Sequence, residues 1–158
     1  MDSFIEACRQ VSSRILEDWG MLLVDLSVEA KDQFNLDNTF YCATTSFNSK
    51  QEATGSYSIM CQSELLKIIA RNLLGNEEEI SHDQQIDALK EMSNVLAGNL
   101  ITAFYGDKPT FDLTPPTSFE MPSELAKVVL ESNRTITVMA EGFPVAISFS
   151  LDNPDISV

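Results

Sequence analysis

Asp87-Ala-Leu-Lys-Glu91-Met-Ser-Asn94-Val-Leu-Ala-Gly98-Asn99 is the stretch whose periodicity organises the chain. At about 100° per residue, Asp87, Glu91, Asn94 and Gly98 fall within about a 60° arc of a helix. Leu89, Ser93, Leu96, Leu100 and Phe104 centre on roughly the opposite side. The apolar side faces a core, so the acid and the amide face outward. Ser81-His-Asp supplies a cap for a helix running from about Asp83 to Tyr105, and Gly106 with Pro109 closes it.

Upstream, Ser63 to Leu74 carries Leu65, Leu66, Ile69, Leu73 and Leu74 on one side and stops at Gly75, with the acidic turn Asn76-Glu-Glu-Glu leading on. At the start, Ser3 to Trp19 sets Phe4, Ile5, Cys8, Val11, Ile15 and Leu16 at helical spacing, with Ser3 as N-cap and Gly20 as stop. Between them, Leu22 to Glu29, Thr39 to Phe47 and Gly55 to Cys61 are strand-like runs separated by polar segments, which predicts an antiparallel meander. Beyond the long helix, Thr110-Phe-Asp-Leu-Thr-Pro-Pro-Thr predicts a short strand entering a rigid double-proline turn. Ser123 to Leu130 fits a short helix or an irregular turn. Arg134 to Ala140 and Pro144 to Leu151 alternate like strands across Glu141-Gly142-Phe143, a hairpin, and Asp152 to Val158 reads as a frayed tail. Strands, two helices and strands again define an α+β fold. The expectation is a single domain over residues 1–158, its mostly antiparallel β-sheet covered by two long helices, with an additional N-terminal helix.

With 158 residues, 44% of them hydrophobic, the chain can bury one sizeable core and is short for two. Ten Lys and Arg against twenty-four Asp and Glu leave a formal charge of −14, which repels nucleic acid and anionic lipid. An acidic surface suits a partner with an exposed basic residue, and it also simply keeps a protein soluble. Cys8, Cys42 and Cys61 are odd in number and show no CxxC pairing, so the sequence indicates neither a disulfide framework nor a zinc knuckle. Met1-Asp-Ser-Phe lacks a basic start, and no apolar run approaches the roughly 20 residues that span a bilayer; the expected location is the cytoplasm, with no membrane partner. His82, the one histidine, lies close to Glu77, Glu78, Glu79 and Asp83 and reads as a surface residue rather than a metal ligand. No Ser, Cys or Lys nucleophile has a His partner in a recognisable motif, and no Gly-rich phosphate loop is present.

A carboxylate one turn before a carboxamide can pair with a cation on a partner and hold a water beside it, an arrangement suited to hydrolysing a phosphoryl group on another protein. Asp87-x-x-x-Glu91-x-x-Asn94-x-x-x-Gly98 is followed, twenty-one residues after the Asn, by Pro115 in Asp112-Leu-Thr-Pro-Pro-Thr. This combination resembles the CheC/CheX/FliY family of chemotaxis phosphatases, and within it the single-site CheX branch. The order of elements agrees over nearly the whole chain.

The resemblance implies removal of phosphate from the aspartyl phosphate of a CheY-like response regulator. Glu91 would pair with the regulator's active-site Lys, and Asn94 would enter its pocket and orient water for in-line attack. An amide does this by donating and accepting, without becoming a base. Mg²⁺ would belong to the regulator, so no metal or other cofactor is expected on this chain. Asp87 would orient or cap, or serve as a plain surface acid. Gly98 would allow close backbone approach, or else serve packing inside the protein. Pro115 and Pro116 would shape the turn beside the site. Relatives of the CheC and FliY type carry two Glu/Asn sites, whereas Ser63-Glu64-Leu-Leu-Lys67 has Lys where Asn would be needed, so one site per chain is expected. Subunits of CheX-like proteins pair to extend the sheet, which implies a homodimer. The alternative is a non-catalytic CheX-like module that binds a response regulator or a flagellar motor component; a small-ligand sensor would need a buried pocket.

Overall fold

The computed structural model describes residues 3–49, 54–75, 79–106 and 111–151. The turn at 76–78, Pro109 with Thr110, and the tail expected to fray lie outside that set. Four helices are described: α1 (Ser3–Asp18), α2 (Ser63–Leu74), α3 (His82–Tyr105) and α4 (Ser123–Glu131). The strands are β1 (Val24–Asp25), β2 (Phe40–Asn48), β3 (Thr54–Cys61), β4 (Asp112–Leu113), β5 (Thr117–Met121), β6 (Thr135–Ala140) and β7 (Phe143–Leu151). They form one sheet in the order β1-β6-β7-β3-β2-β4, with β5 also paired to β2, and every pairing is antiparallel.

Alternation along the inner strands divides the sheet into two faces. One presents Ala43, Phe47, Tyr57, Ile59, Ile147 and Phe149 to α1, α2 and α3, which form the main core with it. The other places Phe40, Cys42, Met60 and Met121 against Ala126 and Leu130 of α4, with Phe34 closing this smaller cluster. All three cysteines are buried. Burial pushes the Cys42 and Cys61 thiols up from their ordinary range, away from reactive thiolate.

The expected meander holds only for β2 and β3. The run from Leu22 to Glu29 shrinks to Val24–Asp25 and pairs with β6 at the far edge. Asp25 Oδ1 accepts the Ser27 N–H at 2.9 Å and its hydroxyl at 2.6 Å, and this turn ends the strand. Thr117–Met121 is a strand that the prolines concealed. It lies on the edge, where a preceding Pro removes no needed ladder bond. The late hairpin is as expected: Glu141 (φ 53°) and Gly142 (φ 80°) make a two-residue turn between paired Ala140 and Phe143.

The strand order is nearly two-fold about the central β3–β7 pair. Hairpin β2–β3 corresponds to β6–β7, and two-residue β1 to two-residue β4. Helix α1 therefore corresponds to α3, while α2 links the halves. The sequence comparison that set Ser63-Glu64-Leu-Leu-Lys67 against the Glu/Asn helix used the wrong helix. Buried Phe4, Cys8, Ser12, Ile15 and Leu16 repeat the spacing of buried Leu89, Ser93, Ala97, Leu100 and Ile101. That alignment puts Glu6 in the place of Glu91 and Arg9 in the place of Asn94, so α1 offers no second Glu/Asn pair.

Helix α3 starts with a capping box: the Ser81 hydroxyl accepts the Gln84 N–H at 3.2 Å, and Gln84 Oε1 accepts the Ser81 N–H at 2.9 Å. It ends at Gly106, whose N–H donates to Thr102 O. Its middle is pinned to the sheet by Thr45 Oγ1 and Ser93 Oγ, 2.9 Å apart, both residues buried. Removing one hydroxyl strands the other away from water, which costs about 1–3 kcal/mol. Ser93→Ala is therefore expected to lower the unfolding free energy in urea by about that amount. The double variant Ser93→Ala/Thr45→Val should recover most of the loss, because no buried hydroxyl is then left unpaired.

Candidate functional site

The leucines of α3 set its rotation. Leu89, Leu96 and Leu100 are fully buried, and each contributes about 1.5–3 kcal/mol over exposure. Turning the helix to bury the opposite side would forfeit several such contributions. Asp87 and Glu91 are consequently exposed, while Asn94 and Gly98 are half-buried on the same line. Helical side chains lean toward the preceding turn, so the Asn94 carboxamide reaches toward Glu91. Residues three apart on a helix have Cβ atoms roughly 5–6 Å apart, close enough for both to contact one group.

Among the described residues, no hydrogen bond or ion pair holds the Glu91 carboxylate or the Asn94 carboxamide. Neighbouring amides behave differently: Asn99 Nδ2 donates to Val95 O at 2.8 Å, and Asn72 Nδ2 to Gly20 O at 2.8 Å. The ion pair Lys31–Glu131 joins the loop before β2 to α4, away from α3. Asp83, Asp87 and Glu91 form an exposed acidic line along α3. Like charges one turn apart weaken a helix slightly, and a cation brought by a partner relieves this.

The proline turn lies beside the middle of α3. Thr44 pairs with Thr117 and Phe47 with Leu113, so Thr114-Pro115-Pro116 spans the gap opposite Thr45 and Ser46. Three residues face two, which makes this a bulge. Thr114 N–H donates to Ser46 O at 2.9 Å, and its hydroxyl oxygen accepts the Ser46 N–H at 3.3 Å. Since Thr45 is bonded to Ser93, the turn lies one strand from the point that pins α3. Pro115 is exposed and Pro116 half-buried. Sequence reasoning found the prolines but missed Thr114 and the Thr45–Ser93 pair. The signal was a hydroxyl residue within an otherwise apolar face, between Ala43 and Phe47 on the strand and between Leu89 and Leu96 on the helix.

Gly98 has two readings, close approach of a partner or packing inside the protein. A Cβ built there meets no atom within 4 Å, so packing inside the protein does not require glycine. His82 opens α3, its ring 5.4 Å from that of Tyr41. Among the described residues, no three His, Cys, Asp or Glu side chains are grouped to hold a metal, and no helix is long and apolar enough to cross a membrane. Concave regions occur elsewhere. One of about 190 Å³ is lined by Asn35, Gln62, Glu64 and Phe143, and one of about 300 Å³ by Asp37, Glu120 and Ser123; neither includes Glu91 or Asn94. The Glu/Asn line is a ridge on a helix.

The family model described as chemotaxis phosphatase CheX matches residues 41–148, which takes in α3, the proline turn and most of both hairpins. The chain belongs to the CheX family of chemotaxis phosphatases. No curated protein sequence matches it. Similar solved structures include a chemotaxis protein CheX from Desulfovibrio desulfuricans, 13% identical, with TM-score 0.68 over 96% of this chain and 100% of that one. A chain of the CheX–CheY–BeF3–Mg²⁺ complex from Borrelia burgdorferi is 17% identical, with TM-score 0.59 over 94% and 97%. A CheC-like superfamily protein from a Shewanella species is 18% identical, with TM-score 0.58 over 95% and 99%. At these identities the likeness is one of fold and bears out the α+β architecture, while the family model bears out the CheX branch read from the sequence.

Because no described residue is bonded to the Glu91 or Asn94 side chain, their truncation is expected to leave stability nearly unchanged. Glu91→Ala and Asn94→Ala should each shift the unfolding free energy by no more than about 0.5 kcal/mol in urea titration.

Proposed function

We propose that this chain hydrolyses the aspartyl phosphate of a CheY-like response regulator, with Asn94 positioning the attacking water and Glu91 pairing with a Lys of the regulator. The observation that carries this reading is an exposed carboxylate and a half-buried carboxamide on the outward ridge of α3, neither bonded to any described residue. A ridge cannot enclose a small substrate, but it can enter a pocket that a protein substrate already possesses. The fold relative from Borrelia burgdorferi is in complex with CheY, BeF3 and Mg²⁺. Beryllofluoride stands in for a phosphoryl group, so that partner is in its phosphorylated-like form, and the Mg²⁺ of this reaction is assigned to the regulator.

In the reaction, the water oxygen forms a bond to phosphorus while the bond from phosphorus to the aspartyl carboxylate oxygen breaks. Inorganic phosphate and a free carboxylate result. Asn94 holds the water in line by accepting from it through Oδ1 and donating through Nδ2. Glu91 contributes a charge-assisted contact that docks the regulator. Asp87 supports the acidic line, Gly98 allows close approach, and Pro115 and Pro116 stiffen the turn beside α3. We place the reaction in the cytoplasm, in keeping with Cys42 and Cys61, both buried and outside any disulfide.

We also propose a homodimer built by sheet extension. Strand β5 is an edge whose outer backbone groups face away from β2, and its Phe119 is exposed. Light scattering is expected to give twice the mass of the chain; a monomer at every accessible concentration would remove the dimer and leave the site as it is.

Kinetics separate the two principal side chains. Asn94→Ala is expected to lower kcat by on the order of 10²-fold through lost positioning, with little change in KM. Glu91→Ala should act chiefly by raising KM. The measurement is the decay rate of regulator aspartyl phosphate against chain concentration. If Asn94→Ala keeps wild-type turnover at saturation, the mechanism is wrong. If even the unaltered chain binds without accelerating decay, the chain is a non-catalytic module.

A further inference from the structure

We propose that Gly98 is a positioning residue: it keeps Asn94 uncovered and lets the regulator settle onto nearly bare helix over the two turns that follow Asn94. The inference rests on Asn94 being the group that enters the partner, and it adds the side from which the partner lies against α3.

Glycine in a helix interior is unfavourable, and Gly98 stands seven residues before the end of α3. Neither usual reason for tolerating it applies. Its backbone is not among the left-handed glycines, which in the described residues are Gly75, Gly106 and Gly142. Nor is it crowded. Gly20 shows what crowding looks like here, since a Cβ on it would lie 2.7 Å from Leu16 O and 2.8 Å from Met92 Cε. At Gly98 the same construction meets nothing within 4 Å. The space is open to solvent, and the chain itself would accept a side chain there.

A side chain at position 98 would lean back over the preceding turn, onto Asn94. The neighbouring polar side chains are also folded down. Thr102 Oγ1 donates to Gly98 O at 3.0 Å, and Asn99 Nδ2 donates to Val95 O. From Asn94 toward Thr102 the ridge is therefore low, whereas toward the N-terminus Glu91, Asp87 and Asp83 stand exposed. This asymmetry assigns the two ends different tasks. Acidic side chains hold the partner on the N-terminal side, and bare backbone admits its bulk on the C-terminal side, which sets how deeply Asn94 inserts.

The test compares Gly98→Ala and Gly98→Leu with the unaltered chain in three measurements: Tm, Kd for a CheY-like regulator loaded with beryllofluoride and Mg²⁺, and kcat and KM for aspartyl-phosphate decay. Gly98→Ala is expected to raise Tm by about 2–4 °C through helix propensity while lowering kcat/KM about tenfold. Gly98→Leu should keep a Tm at or above that of the unaltered chain, weaken Kd and lower kcat/KM on the order of 100-fold. A stability gain joined to a loss of function is what a structural glycine would not give. Wild-type Kd and kcat/KM in both variants, or a fall in Tm with Gly98→Ala, would overturn the proposal. If the unaltered chain binds the loaded regulator yet leaves decay unchanged, the phosphatase reading fails alone, and the two Kd values still decide the role of Gly98. If the unaltered chain does not bind at all, both are overturned.

Discussion

Burial of one side of α3 on strands β2 and β3 is the constraint from which the site follows. Leu89, Leu96 and Leu100 define the buried side, and the Ser93–Thr45 hydroxyl pair supplies what leucines lack, a directional contact that fixes rotation about the helix axis. Apolar packing alone tolerates small rotations, since the hydrophobic effect has no preferred direction. A buried hydrogen bond with no alternative partner does not. Ser93 lies between Glu91 and Asn94 in sequence and on the other side of the helix in space. The bond that holds α3 down therefore also aims the acid and the amide outward.

Strand β2 connects the remaining parts. It carries Thr45, pairs with β3 from Tyr41 to Asn48, and receives β4 and β5 on its other edge. The bulge at Thr114-Pro115-Pro116 faces the pinned point of α3 across β2, so helix and proline turn share one anchor. Proline suits this place because the edge requires few donors and the ring restricts the turn. In the other half of the near two-fold fold, α1 packs by the same spacing but offers Glu6 and Arg9. The Gln10 side chain donates to Glu6 Oε1 at 2.9 Å, so that acid is already occupied. Two halves built alike thus present one Glu/Asn ridge.

Three of the four described helices were legible because their signals are local, whereas α4 stayed open between a short helix and an irregular turn. Ser81 and Gln84 form the capping box of α3, and the apolar residues of Ser63–Leu74 mark their own side and end at Gly75. The outward line from Asp87 to Gly98 followed from the same periodicity. What escaped depends on pairing between distant segments. Val24–Asp25 joins β6 across more than a hundred residues, with Leu23 O accepting the Glu141 N–H at 2.9 Å, and nothing near Val24 in sequence signals this. Thr117–Met121 is a strand because β2 offers it an edge, while its own composition is dominated by the prolines before it. The error of comparing α2 with α3 has the same origin, since correspondence between halves is a property of sheet order. The openness at Gly98, likewise, concerns what does not pack against it, and no sequence pattern carries that.

The most direct test of the central claim, that the fixed rotation of α3 presents its Glu91–Asn94–Gly98 line to the partner, is an NMR titration of the labelled chain with a beryllofluoride-loaded CheY-like regulator. Backbone amides from 87 to 102, together with those of Thr114 and Thr117, are expected to shift or broaden first, with the amides of α1 and α4 little changed. Perturbations centred on α1 or α4, with the middle of α3 silent, would contradict the account.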